Sequence, residues 1–192
     1  MRGRASLRTG AIVLLTSVGL VAAGCGGSEK EAATTVAPVP PAKTQAEWID
    51  RLVNRFLLDM QENLNVVNGL RSNQAIINIR TGNETTLRVL NERMTDLAKC
   101  SRKLARVGPP PDSEAPLDRI YDRFGKSCPY YERIASAALK AVPLLSSRDS
   151  SDVAKGEQEF AKISGPSFEA ARQFGAALEL LEANNLLQAY QG

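Results

Sequence analysis

The 192-residue chain contains no histidine. That absence removes the imidazole base of Ser-His-Asp and Cys-His nucleophile activation, the ligands of an H-E-x-x-H metalloprotease and the Glu-x-x-His ligands of a di-iron helical bundle. Cysteine is scarce too: Cys25, Cys100 and Cys128 are too few for a four-thiolate zinc site and form no C-x-x-C redox pair. The sequence also lacks G-x-S-x-G, S-x-x-K, a P-loop and G-x-G-x-x-G. Aromatic residues make up 5% of the chain, and the alternating apolar pattern of strands is missing. Carboxylates are present, but not as a catalytic pair. Asp118 and Asp122 fall one helical turn apart on an outer face, interleaved with Arg119 and Arg123, which reads as a solvated charged face. Glu157 and Glu159 point to different helix faces, so they do not suit a glycosidase. The expectation is a non-enzymatic protein with no catalytic residue, metal or cofactor.

What is there begins at the N-terminus. Arg2, Arg4 and Arg8 precede Ala11 to Ala23, an apolar stretch of 13 residues. A membrane span needs about 20 residues to cross roughly 30 Å of hydrocarbon, so this stretch reads as a cleaved signal peptide. The run LTSVGLVAAGCGGSEK ends its apolar part at Ala22-Ala23-Gly24-Cys25. In these residues the chain resembles the bacterial lipoprotein signal, or lipobox, although Ala22 stands where that pattern more often has Leu or Val. The resemblance covers only the first 25 or so residues. It implies diacylglyceryl transfer to Cys25, cleavage after Gly24, a signal peptide of residues 1–24 and a lipid anchor on the extracytoplasmic face of the bacterial cell membrane. Without adjacent arginines, export through the general secretory route is expected. Removing Arg2, Arg4 and Arg8 from 24 basic and 21 acidic residues leaves 21 of each. The mature chain is then formally neutral, which argues against nucleic acid as a partner and against polybasic attraction to membranes.

Residues 25–43 combine Gly, Ser and charges with Pro38, Pro40 and Pro41, and they read as a lipidated cysteine followed by a flexible, Pro-rich linker. Residues 44–192 are long enough for one domain with a core of its own. Helical spacing dominates this part. Thr44 and Glu47 form a capping box before the stripe Trp48, Ile49, Leu52, Val53, Phe56, Met60, Leu64 and Val67. The polar stretch from Asn68 to Asn83 either continues this helix or forms a short separate one around Ile76, Ile77 and Ile79; continuation is the favoured reading. Its asparagines, with Asn63 and Asn65, are expected to face solvent.

A second helix is expected from an Asn83 cap, with Leu87, Leu90, Met94, Leu97, Ser101 and Leu104 inward, stopping at Gly108-Pro109-Pro110-Pro111. Ser113 then caps a third, whose stripe runs from Leu117 to Val142 with a kink at Pro129. A last helix follows an Asp149 or Ser150 cap, with Val153, Phe160, Ile163, Ala171, Phe174, Leu178 and Leu181 inward and a bend or split at Gly165-Pro166. Gly156, Gly165 and Gly175 mark close helix contact or irregularity. The expected fold is all-α: an antiparallel four-helix bundle, up-down-up-down, with short loops. Gln45 to Arg106 carries ten basic and seven acidic residues and Asp149 to Gly192 three and seven, a complementarity suited to neighbouring helices.

With Cys25 lipidated, Cys100 and Cys128 remain in a compartment that permits disulfides, and they are expected to pair. Straight helices would leave them about 10 Å out of register, an offset that an extended Pro-rich loop or a later helix start must absorb. Three features could mark a binding site. Lys99, Arg102, Lys103 and Arg106 suit the dipole at a helix end. Tyr121, Phe124, Tyr130 and Tyr131 surround the Pro129 kink, as core packing or as an aromatic-lined groove. The asparagine-rich stretch is the third. Beyond the leader, the run from Leu104 to Pro111, LARVGPPP, and the 16 Arg against 8 Lys make the domain faintly similar to uncharacterised secreted helical lipoproteins of actinobacteria, a similarity that implies no activity. The expected role is an interaction or scaffold module for an envelope protein or polymer. The alternative is a lipoprotein that binds a small ligand or lipid, which a sealed core would disfavour and an apolar pocket of some 300 Å³ would favour.

Overall fold

A computed structural model describes residues 39–70, 72–111 and 115–188, all within the unit Ala37–Gly192. The leader, the Cys25 anchor and most of the linker lie outside these residues, as does the expected Ser113 cap. Every regular element described is helical, and none of these helices is long and apolar enough to cross a membrane.

The packed chain begins by Val39, earlier than the Thr44 boundary that composition suggests. Ala42 is buried and its N–H donates to the Pro109 carbonyl at 3.5 Å, while Arg51 Nη1 donates to the Pro40 carbonyl at 2.9 Å. Thr44 caps α1 (Gln45–Leu52) by accepting from Glu47 N at 3.2 Å, as the sequence requires, and the Glu47 carboxylate accepts from Lys43 N at 2.8 Å. The same helical path continues through a π-helical segment (Val53–Leu57) into α2 (Leu58–Gly69). The wider π turn rotates the inward stripe. Met60, Asn63 and Val67 are buried in α2, and Leu64, expected inward, is only half-buried.

The helix does not continue through the asparagine-rich stretch. It ends at Gly69, and Ser72 starts α3 (Asn73–Arg80) by accepting from Ala75 N at 3.1 Å. A cap acceptor three residues beyond a glycine offers the backbone a new start, and the fully buried Ile79 anchors the short helix. Asn83 caps α4 (Glu84–Leu97), accepting from Thr86 N at 2.9 Å. A turn at Ala98 and Lys99 then separates α5 (Cys100–Val107). The break changes the phase of the stripe, so Cys100, Lys103, Leu104 and Val107 are buried and Ser101, expected inward, is exposed.

α6 (Ala115–Leu145) is the element around which the rest packs. Leu117, Ile120, Phe124, Cys128, Ile134, Ala135 and Ala138 are buried along it, against α4, α5, α7 and α8. It runs through Pro129 and Pro143 without ending. Asp149 caps α7 (Ser150–Ala161), accepting from Ser151 N at 2.7 Å. The chain splits at Lys162 and Ile163, leaving Gly165 and Pro166 in the first turn of α8 (Ser164–Ala183), where a missing N–H costs little. Ala170, Gln173, Phe174, Ala177 and Leu181 face inward on α8; Ala171 faces out. Gly156 is the close approach: a Cβ there would meet the Leu145 backbone nitrogen at 2.9 Å, whereas Gly165 and Gly175 have open space.

Cys100 and Cys128 form the expected disulfide, with Cα atoms 5.1 Å apart. Cys100 opens α5 and Cys128 lies well inside α6, an offset the extended Gly108–Pro111 segment absorbs. Gly108 has φ 78°, a left-handed conformation that suits glycine, and its carbonyl accepts from Trp48 Nε1 at 3.1 Å.

Candidate functional site

The four aromatic residues around Pro129 do not share one surface. Phe124 and Tyr131 lie in the core, where Phe174 meets Phe124 at 5.0 Å and Tyr131 at 5.9 Å between ring centroids, and Phe56 meets Phe124 at 5.3 Å. Burial pushes the Tyr131 phenol well above its ordinary pKa. Tyr121 sits edge-on to Trp48 at 6.4 Å and Tyr130 lies beneath Arg133. The i,i+3 and i,i+7 relations put Phe124 and Tyr131 on the inward face of α6 and carry Tyr130 off it, so the groove reading of this set gives way to core packing.

A buried polar group appears where the sequence pattern did not place one. Lys103, 7% exposed, forms ion pairs with Asp96 and with Asp59, the latter at 3.0 Å. Asn63 is fully buried, contrary to the expectation for the asparagines, and its Nδ2 donates to Asp96 Oδ2 at 2.8 Å. Burial alone would raise the Asp96 pKa, but hydrogen bonds from Asn63 and Lys103 and the Lys103 charge outweigh it and hold the carboxyl below its ordinary value. Lys103 is thus not a helix-end cation in solvent. With Asn63 it joins α2 to α4 and α5. Among the described residues no group of three His, Cys, Asp or Glu side chains could hold a metal ion.

Several clefts open on the described residues, one of them at the seam between α2 and α8. One cleft of about 410 Å³ lies between Leu57, Gln61, Leu64 and Asn65 on one side and Phe174 and Leu178 on the other. A second, about 210 Å³, adjoins it through the shared Leu64 and Asn68 and is lined by Val67, Tyr131, Ile134, Phe168 and Ala171. No charged side chain lines either cleft, in a chain that is 23% charged. Phe168, 69% exposed, lines the second cleft. Gln61, Asn65 and Asn68 recur at three- and four-residue steps, so three amides line the larger cleft on its α2 side. Sequence reasoning missed the seam because Leu64 and Leu178 fall on the expected inward stripes; Leu57 and Phe168, which fall outside them, were the signal.

No family model matches the chain, and comparison with curated proteins and with solved structures finds no significant match.

Proposed function

We propose that the protein is a lipoprotein held through Cys25 on the extracytoplasmic face of the bacterial cell membrane, and that its helical domain is a non-enzymatic interaction module for a component of the envelope. The leader residues support the anchor. The uncharged seam between α2 and α8, with the exposed Phe168 in its lining, supports the interaction and is the observation that carries it: a large exposed apolar side chain at an apolar groove marks a contact surface. We read the domain as an antiparallel four-helix arrangement with α1–α2, α4–α5, α6 and α7–α8 as its arms. Asp59 with Lys103, Leu104 beside Gly125, and Arg123 with Gln173 are contacts in keeping with that order.

A second reading, a site for a small apolar ligand or lipid, is favoured by the volume of the larger cleft, which falls within the range of ligand pockets. A photo-crosslinking residue placed at position 168 and activated in native membranes tests between them. Capture of a specific protein from position 168, but not from position 136 on the exposed side of α6, is the expected result. Recovery of lipid alone would replace the interaction reading with the ligand reading. Loss of metabolic fatty-acid labelling in Cys25→Ser is the expected sign of the anchor.

A further inference from the structure

We propose that the buried polar cluster between α2, α4 and α5 is a site for one internal water molecule, held between Asn63 Oδ1 and Lys103 Nζ. Asn63 is completely buried and its amide is used on one side only. Its Nδ2 donates to Asp96 Oδ2 at 2.8 Å, while Oδ1 is the one buried side-chain nitrogen or oxygen without a partner among the described residues. Such an oxygen is rare in a folded protein, where buried acceptors are met by protein donors or by ordered water. Turning the amide over does not supply the partner. It would set Oδ1 against the Asp96 carboxylate, acceptor facing acceptor, and leave Nδ2 without its bond.

Lys103 holds the complementary deficit. Its ammonium carries three N–H groups, of which two meet Asp59 and Asp96, so one donor of this buried side chain has no acceptor among the described residues. Asp96 Oδ2 accepts from both Lys103 Nζ and Asn63 Nδ2. The two nitrogens therefore lie within two hydrogen-bond lengths of each other, about 6 Å at most, and one molecule beside them can reach the free N–H and the amide oxygen together. That molecule must accept from Nζ and donate to Oδ1. Charge narrows the choice, because a cation would meet Lys103 and an anion would meet Asp59 and Asp96. Water is the smallest neutral molecule that does both, and two fixed polar partners are what an internal water needs. It closes a ring of hydrogen bonds through Asn63, Lys103 and Asp96. The ring fixes the register of α2, whose neighbouring Gln61, Leu64 and Asn65 line the seam.

Oxygen-17 relaxation dispersion of the solvent, recorded on the purified Cys25→Ser chain, tests the site, because it counts long-lived internal waters and is blind to proton exchange at Lys103. In that background the amplitude is expected to fall by the equivalent of one water in Asn63→Leu, which nearly keeps the side-chain volume but offers no acceptor. It should stay unchanged in Asn65→Leu, at an exposed position on the same helix. Lys103→Met removes the other partner and should cause the same loss, so the outcome does not depend on one variant folding. A crystal structure of the Cys25→Ser chain is expected to show one water within about 2.6–3.2 Å of both Asn63 Oδ1 and Lys103 Nζ. An amplitude untouched by Asn63→Leu and by Lys103→Met would overturn the site. So would an Asn63 oxygen bonded directly to Lys103 or to another side chain with no water between them.

Discussion

Lys103 occupies a position where helical spacing asks for an apolar side chain, and there it pairs with the Asp59 and Asp96 carboxylates, the second of which also accepts from the buried Asn63 amide. Asp59 and Asp96 both retain contact with solvent, which screens the pair, so Lys103→Met is expected to cost only about 1–2 kcal/mol in urea unfolding near neutral pH. The pH dependence is more specific. Asp96 has a depressed pKa in the folded state, so its contribution is present above the unfolded value of about 4 and disappears as the pH falls through the lower folded value. Stability should therefore drop below about pH 4, and by less in Lys103→Met and Asn63→Leu than in the parent. Equal acid sensitivity in all three would show that Asp96 is not held by these partners.

Breaks and phase changes shape the elements more than propensity does. The π segment and the turn at Ala98 and Lys99 each shift an apolar stripe, which exchanges Leu64 for Asn63 and Ser101 for Cys100 in the core. The helix-forming stretches, their caps at Thr44, Asn83 and Asp149, and the inward face of α6 are all legible in the chain. The phase shifts are not, since a π turn has no residue signature and a spacing rule assumes an unbroken helix. The glycines separate two effects that spacing confounds. Gly156→Ala forces a Cβ against the Leu145 backbone nitrogen and should destabilise by about 1–3 kcal/mol. Gly175→Ala meets nothing within 4 Å and should stabilise by about 0.5–1 kcal/mol through helix propensity alone. Opposite signs in thermal denaturation are the expected outcome.

For the molecule as a whole, the disulfide between Cys100 and Cys128 ties α5 to the central helix. With a sequence separation of 28, the chain-entropy model gives roughly 3.5 kcal/mol. For a domain of this size that corresponds to a fall of about 10 °C in the melting midpoint on reduction. An unchanged midpoint would show that the core around α6 holds without the crosslink. Among the described residues, neither the disulfide nor the Lys103 pairs line the clefts between α2 and α8.

The sequence by itself determined the helical class and most of the caps, because periodicity and cap chemistry are local properties, and its cysteines already pointed to the Cys100–Cys128 pair. Tertiary structure alone decided which polar residues go inside and which apolar ones stay out. Lys103 and Asn63 are buried because partners from α2 and α4 converge on them. Phe168 remains exposed because no other part of the described chain covers the cleft it lines. Both outcomes depend on contacts between residues far apart in sequence, which no local pattern encodes.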